Sequence, residues 1–258
     1  MAPSQDILWL GAHKTGTTYL QNILSQSRTA LAKAGILYLG MHAFRTRYTK
    51  PLLYAEDKLD QLHSWTNVNG RRLIFDENIL ALVQDALAAH ALYPNGEEQA
   101  LKLANNLRSK HPTLVLGIRN YSGFLPSLYC ETLKAQPFLP FRSFQKTHFG
   151  SLSWCALAER LLAAFPESRL KVYSAEAMRS REPELLSWVC GDVPQSAWIV
   201  DVPRTARREG FSHDAMVALH DLADARGSGK ISSTDLTNCL QAHPRGPKCR
   251  AFDPWTPE

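Results

Sequence analysis

The sequence predicts an α/β protein of three layers, a central parallel sheet flanked by helices. Three observations carry this. Short β-type runs alternate with longer helical runs from the start to about residue 175, the pattern of strand–helix–strand units. Two of the β-type runs, Ile7 to Leu10 and Leu114 to Ile118, are unbroken by any polar residue, as in strands buried on both faces. The first run leads through a glycine-bracketed loop into a helix.

Ile7 to Leu10 reads as a buried strand closed by Gly11. Thr17 to Ala34 has helical periodicity, with Leu20, Ile23, Leu24 and Leu31 on one face, and Gly35 ends it. Ile36 to Leu39 and Arg72 to Phe75 are the next strands. Helices are predicted over Asn78 to His90 and Glu97 to Lys110. Thr113 to Ile118 (TLVLGI) is the clearest buried strand. A helix from Ser122 to Lys134, a helix over Trp154 to Ala164 and a strand over Arg169 to Tyr173 complete the core. The chain is expected to be one domain, 1–258, with its core at about 6–175 and a less regular region over 190–258. There, Ser212 to Ala225 reads as a helix with Ser212 as N-cap, and the last dozen residues as irregular.

At 258 residues the chain can bury a core without disulfides or a structural metal. Hydrophobic residues at 45% and charged residues at 21% exclude general disorder. No apolar run approaches the roughly 20 residues of a spanning helix. The start has neither the basic residues nor the apolar length of a secretory signal, so a cytoplasmic location is expected. Five cysteines, an odd number without a CxxC, exclude a complete disulfide framework within one chain and argue against a cysteine zinc site. Cys130, Cys155 and Cys190 are expected to be buried thiols; Cys239 and Cys249 could pair. A net charge of +5 and a pI near 9.0 suit an anionic ligand. No nucleic-acid motif accompanies the charge, so no nucleic-acid partner is expected.

Gly11-Ala12-His13-Lys14-Thr15-Gly16-Thr17-Thr18 lies between a strand and a helix start. Such a P-loop-like turn aims backbone N–H groups inward at the positive end of a helix dipole, which suits phosphate or sulfate. Lys14 adds a charge, and Thr17 and Thr18 add hydroxyl donors. Gly11 and Gly16 have the spacing of the NTPase loop G-x-x-x-x-G-K-[ST]. Thr17, however, stands where that loop has its lysine, and the lysine has moved inside the loop to position 14. A nucleotide kinase or NTPase therefore loses most of its support, though it stays an alternative. A nucleotide-binding module without turnover is the other.

The stretch His13-Lys14-Thr15-Gly16-Thr17-Thr18-Tyr19-Leu20-Gln21 resembles the 5′-phosphosulfate loop of sulfotransferases, particularly the bacterial members. The resemblance implies 3′-phosphoadenosine 5′-phosphosulfate (PAPS) as co-substrate, with His13, Lys14, Thr15, Gly16, Thr17 and Thr18 around its 5′ end and no metal required. It also implies a second anion site for the 3′-phosphate, an Arg at a strand end and a Ser eight residues on. Arg119 and Ser127 have that spacing. A late basic loop usually closes over the nucleotide in this family; within Arg204 to Gly210, Arg207 and Arg208 are the candidates.

Sulfuryl transfer needs a base for the acceptor proton and stabilisation of the leaving phosphate. Lys14 serves the second need. Asp76 and Glu77 follow the third strand at the expected carboxyl edge of the sheet, and sulfotransferases acting on sugars place a Glu there. Glu77 is the favoured base, with a pKa that partial burial would have to raise. Asp76 would cap the following helix. His42 is the rival base. The insertion from Gly40 to Gly70, with Phe44, Arg45, Arg47, Tyr48, Tyr54 and Trp65, is the expected acceptor pocket. Its aromatic and basic residues would suit a sugar or an anionic acceptor, and with the family resemblance a carbohydrate is preferred.

Overall fold

Five strands form one parallel sheet: β1 (Ile7–Gly11), β2 (Ile36–Tyr38), β3 (Arg71–Phe75), β4 (Thr113–Ile118) and β5 (Arg169–Ser174). Their order is β2-β3-β1-β4-β5. The chain leaves β1 toward β2 and β3, then crosses to β4 and β5, so the winding reverses around β1. Ligand sites of such sheets lie at the carboxyl ends of the strands where the order reverses. This computed structural model describes residues 6–54, 70–88, 91–148, 150, 152–201, 210–227, 231–246 and 250–255.

The helices in chain order are α1 (Thr17–Gln26), α2 (Arg28–Lys33), α3 (Met41–Phe44), α4 (Lys50–Tyr54), α5 (Gly96–Asn106), α6 (Tyr121–Thr132), α7 (Phe141–His148), α8 (Trp154–Ala164), α9 (Ala175–Met178), α10 (Glu182–Cys190), α11 (His213–Ala225) and α12 (Ser233–Ala242). A π turn, Arg45–Thr49, joins α3 to α4. Successive strand residues point to opposite faces, and the core divides accordingly. Leu8, Leu10, Ile74, Leu114 and Leu116 pack under Leu103 of α5, Leu125 of α6, Leu161 of α8 and Leu219 of α11. Ile7, Trp9, Leu73, Phe75 and Val115 pack under Leu20, Ile23 and Leu24 of α1 and Leu186 and Val189 of α10. This is the three-layer α/β arrangement that the apolar strand runs predict. Each such side chain stabilises the fold by roughly 1.5–3 kcal/mol when fully buried.

The expected helix Thr17 to Ala34 is interrupted at Ser27. The Ser27 hydroxyl accepts the Ile199 backbone N–H at 2.9 Å, a tertiary bond no local pattern encodes. The expected helix from Asn78 to His90 is instead two short 3₁₀ turns, Glu77–Ile79 and Val83–Asp85. One physical reason is that the Tyr54 hydroxyl donates to the Asn78 carbonyl at 2.6 Å, the group that an α-helix would use internally. The C-terminal region is more regular than expected. Ser212 does cap α11, accepting from the Ala215 N–H at 3.0 Å. Beyond it, α12 opens on a reciprocal cap between Ser232 and Asp235, and Trp255 Nε1 donates to the Ser122 carbonyl on α6 at 2.7 Å. Cys130 and Cys190 are buried, but Cys155 is exposed, because α8 turns Trp154, Leu157 and Leu161 inward and leaves position 155 outside. Cys249 lies outside the described residues. No described helix is long and apolar enough to cross a membrane.

The amino edge of the sheet is fastened by a buried ion pair. Asp6 accepts from the Arg72 backbone N–H at 2.9 Å, from Arg72 Nε at 3.1 Å and from Ser109 Oγ at 2.6 Å. Arg72 also donates to the Leu107 carbonyl at 2.9 Å. Removing one partner of such a pair strands the other charge. Asp6→Ala should therefore destabilise the protein by about 3–5 kcal/mol in urea unfolding; an effect below about 1 kcal/mol would contradict the pair's structural role.

Candidate functional site

The loop from Gly11 to Gly16 leaves the carboxyl end of β1, the position that the reversed winding singles out. Gly11, Lys14 and Gly16 all have positive φ, at 99°, 62° and 87°. A Cβ on Gly11 would lie 2.8 Å from the Glu77 Cβ, which leaves it no room, and one on Gly16 would meet Met178 Cε at 2.7 Å at a φ that side chains rarely adopt. The Ala12 N–H donates to the Gly117 carbonyl at 3.1 Å, which ties the loop to β4. Thr15 is fully buried and donates to the Ala12 carbonyl at 2.6 Å. It shapes the loop rather than offering a free hydroxyl to a ligand. Gly16 is the N-cap of α1, so no side chain caps that helix. Its first-turn N–H groups remain an anion-binding end, with Thr17 buried and Thr18 half-buried beside it.

His13 anchors the loop. Its ring is buried and stacks on Tyr93 at 5.9 Å between centroids. The Tyr93 oxygen accepts the His13 backbone N–H at 3.0 Å and lies 3.1 Å from Nδ1, while Nε2 lies 3.2 Å from Asn78 Oδ1. The self-consistent assignment has Tyr93 donating to Nδ1 and Nε2–H donating to Asn78, a neutral imidazole. Burial pushes the His13 pKa down, against the opposite pull of Glu77 and the Asn78 hydrogen bond.

Lys14 carries its ammonium to α6, where Nζ lies 3.1 Å from Glu131 Oε2. Glu131 also meets Lys134 at 3.0 Å. Burial would raise the Glu131 pKa, but Lys14 and Lys134 outweigh it and hold the carboxylate below the ordinary glutamate range. Arg119, at the end of β4, donates from Nη1 to the Lys14 carbonyl at 3.0 Å. Its own carbonyl accepts from Trp154 Nε1 at 2.8 Å. Burial lowers its pKa and Arg179 adds to that, while Glu176 opposes both. Arg119 and the Lys14 loop are thus in contact. Ser127 is half-buried on α6, and none of its hydrogen bonds among the described residues reaches the loop.

Glu77 stands at the predicted carboxyl edge, packed against Gly11. Its Oε1 lies 3.2 Å from Arg45 Nη2, and its Oε2 accepts from Gln21 Nε2 at 3.1 Å. Arg45 also donates from Nε to both oxygens of Asp76, at 3.0 and 3.2 Å. The expected upward shift of Glu77 is corrected here. Burial does push it up, yet His13 and Arg45 outweigh burial and hold its pKa below the ordinary range. At neutral pH the buried His13 ring is uncharged and Arg45 is the standing cation; His13 adds its pull only once it is protonated at lower pH. Asp76 is the expected cap, accepting from the Asn78 N–H at 3.1 Å; burial raises its pKa and the Arg45 pair opposes that. His42 is exposed on α3, where its carbonyl accepts the Arg45 N–H, and its side chain makes no hydrogen bond to this cluster among the described residues.

Arg207 and Arg208 lie outside the described residues. The chain before them is held where Tyr19 Oη donates to the Val200 carbonyl at 3.4 Å. The chain after them places Phe211 under the Lys134 ammonium, 5.8 Å from the ring centroid. In the insertion, Phe44 and Tyr48 are core residues and the Tyr54 hydroxyl donates to the Asn78 carbonyl; Trp65 and the rest of 55–69 lie outside the described residues. An uncharged cleft of about 220 Å³ lies instead beside α6, lined by Gln84, Leu87, Leu128, Thr132 and Gln136 among others. A larger cleft of about 410 Å³ lies at the opposite, amino edge of the sheet, near His111 and Glu167. Sequence reading missed Arg45, Gln21, Tyr93 and Glu131 as parts of the site. Arg45 stood out only as a basic residue in the insertion and Gln21 only as the end of the loop motif; Tyr93 and Glu131 carried no local signal.

Because folded His13 resists protonation, the unfolded chain binds more protons than the folded one once pH falls below about 6.5. The contribution of His13 is present above that pH and is lost as pH falls toward its folded pKa. The stability difference between wild type and His13→Gln should therefore shrink from pH 7 to 5 in denaturant titrations. A difference that stays constant would show a His13 pKa equal in both states.

No family model and no curated protein sequence matches this chain. Among solved structures, the sulfotransferase from Alicyclobacillus acidocaldarius is similar at 13% identity and a TM-score of 0.45, covering 89% of this chain and 98% of that one. A likeness of that size carries nothing about chemistry.

Proposed function

We propose that this protein is a sulfotransferase that moves a sulfuryl group from PAPS to an acceptor hydroxyl. The observation that carries the reading is the contact between two anion-binding elements: Arg119 on the Lys14 loop, at the head of α1. One element suits a 5′-phosphosulfate and the other a 3′-phosphate. The absence of a lysine after Gly16 separates this loop from that of an NTPase.

In this reading the loop N–H groups, Lys14 and Thr18 hold the 5′ end, and the planar guanidinium of Arg119 grips the 3′-phosphate. Glu77 accepts the acceptor proton as the acceptor oxygen attacks sulfur. The sulfur–oxygen bond to the 5′-phosphate breaks, and its electron pair stays on that phosphate, where Lys14 stabilises it. The products are a sulfated acceptor and adenosine 3′,5′-bisphosphate. Arg45 keeps Glu77 ionised through the neutral range, at some loss of basicity. The family resemblance favours a carbohydrate acceptor. The uncharged cleft beside α6 favours one with an apolar face, since Leu128 lies one helical turn before Glu131, the partner of Lys14.

Two outcomes test the reading. With PAPS and an acceptor panel, the wild type should release adenosine 3′,5′-bisphosphate, and Glu77→Gln should lower kcat by about 10²–10⁴-fold with nucleotide binding retained. Turnover unchanged in that variant would contradict the base; binding without turnover on any acceptor would favour a non-catalytic module. Since Arg45 holds the Glu77 pKa down, Arg45→Met should move the acid limb of the kcat profile to higher pH. An unmoved limb would detach that limb from Glu77.

A further inference from the structure

The partner of Lys14 has no part in the sulfuryl-transfer scheme above. Glu131 is one of three charged groups in a row, Lys14–Glu131–Lys134, with contacts of 3.1 and 3.0 Å. Lys14 and Glu131 are both mostly shielded, with side chains 18% and 20% exposed. A pair in such a setting interacts more strongly than one in open water. Glu131 occupies the coordination that an incoming anion would demand of the same ammonium. An anion arriving at the loop must either draw Lys14 away from Glu131 or share it while facing a like charge.

We infer that Glu131 is a positioning residue that competes with the 5′ end of the nucleotide for Lys14 and so weakens the grip on the bisphosphate product. This rests on the sulfotransferase reading. The product is the species most affected. When the sulfuryl group leaves, the 5′-phosphate gains negative charge, and an unopposed Lys14 would hold it hardest at the moment it must depart. Glu131 gives the ammonium a partner to return to. Lys134 keeps Glu131 ionised and in place.

The test is calorimetric titration of wild type, Glu131→Gln and Glu131→Asp with adenosine 3′,5′-bisphosphate, and with adenosine 3′-phosphate, which lacks the 5′ group. The glutamine variant should bind the bisphosphate at least about fivefold more tightly and release it more slowly. It should bind adenosine 3′-phosphate as wild type does. Glu131→Asp keeps the charge on a shorter stem and should fall between them. In a Lys14→Met background the gain from Glu131→Gln should vanish. A merely structural role cannot produce tightening confined to the 5′ group. Bisphosphate affinity unchanged or weakened in both Glu131 variants would overturn the inference, as would equal changes for the two nucleotides. A wild type that binds neither nucleotide overturns the sulfotransferase reading itself, and this inference with it.

Discussion

The loop between β1 and α1 is confined at its two glycines, and the site is built around that constraint. Glu77 closes the gap at Gly11 and Met178 closes it at Gly16. Below them, a Cβ on Gly117 would lie 2.6 Å from the Tyr173 ring and 2.7 Å from Thr15 Oγ1. Gly11 and Gly16 also take positive φ angles that side chains rarely adopt. The same closeness brings Glu77 against the loop and holds β4 near enough for Arg119 to reach the Lys14 carbonyl. The loop's shape, the carboxylate at its side and the guanidinium at its end are therefore one packing solution.

Charge in this region is balanced within the protein. Lys14 has Glu131, and Arg45 has Asp76 and Glu77. His13 contributes no standing charge, because burial keeps it neutral. Arg45 and Glu77, already ionised and hydrogen-bonded, need little reorganisation when charge develops on a substrate, whereas Lys14 has first to leave Glu131 or share it. A carboxylate held below its ordinary pKa is a weaker base than one raised by burial. In the proposed chemistry, then, more of the rate rests on stabilising the leaving phosphate than on the pull of Glu77.

How much was legible in the sequence depended on whether a feature was local. β4 matches its prediction residue for residue, Thr113–Ile118, because a strand buried on both faces writes itself as an unbroken apolar run. α8 does so as well, with Ser153 accepting from the Ala156 N–H at 3.0 Å as its cap. The glycine-bracketed loop was legible because its spacing is a backbone requirement. The segment after Asn78 was not, since its apolar residues fit a helix as well as an irregular buried strip, and the deciding bond comes from Tyr54. Ser27 breaks a continuous periodic pattern for the same kind of reason. α12 had a readable signal in Ser232 and Asp235, three residues apart, obscured by the prolines of the tail. The pairing of Arg45 with Glu77 and of Lys14 with Glu131 joins residues 32 and 117 positions apart, and charge alone does not choose partners at that distance.

In the proposed function, the contact between Arg119 and the Lys14 loop serves a nucleotide phosphorylated at both its 3′ and 5′ positions. The most direct measurement is calorimetric titration with adenosine 3′,5′-bisphosphate beside AMP and Mg-ATP, repeated on Arg119→Ala. The account predicts tight binding of the bisphosphate, much weaker binding of AMP, and loss of that preference in the variant. Equal affinity for AMP and the bisphosphate, or tighter binding of Mg-ATP, would contradict it.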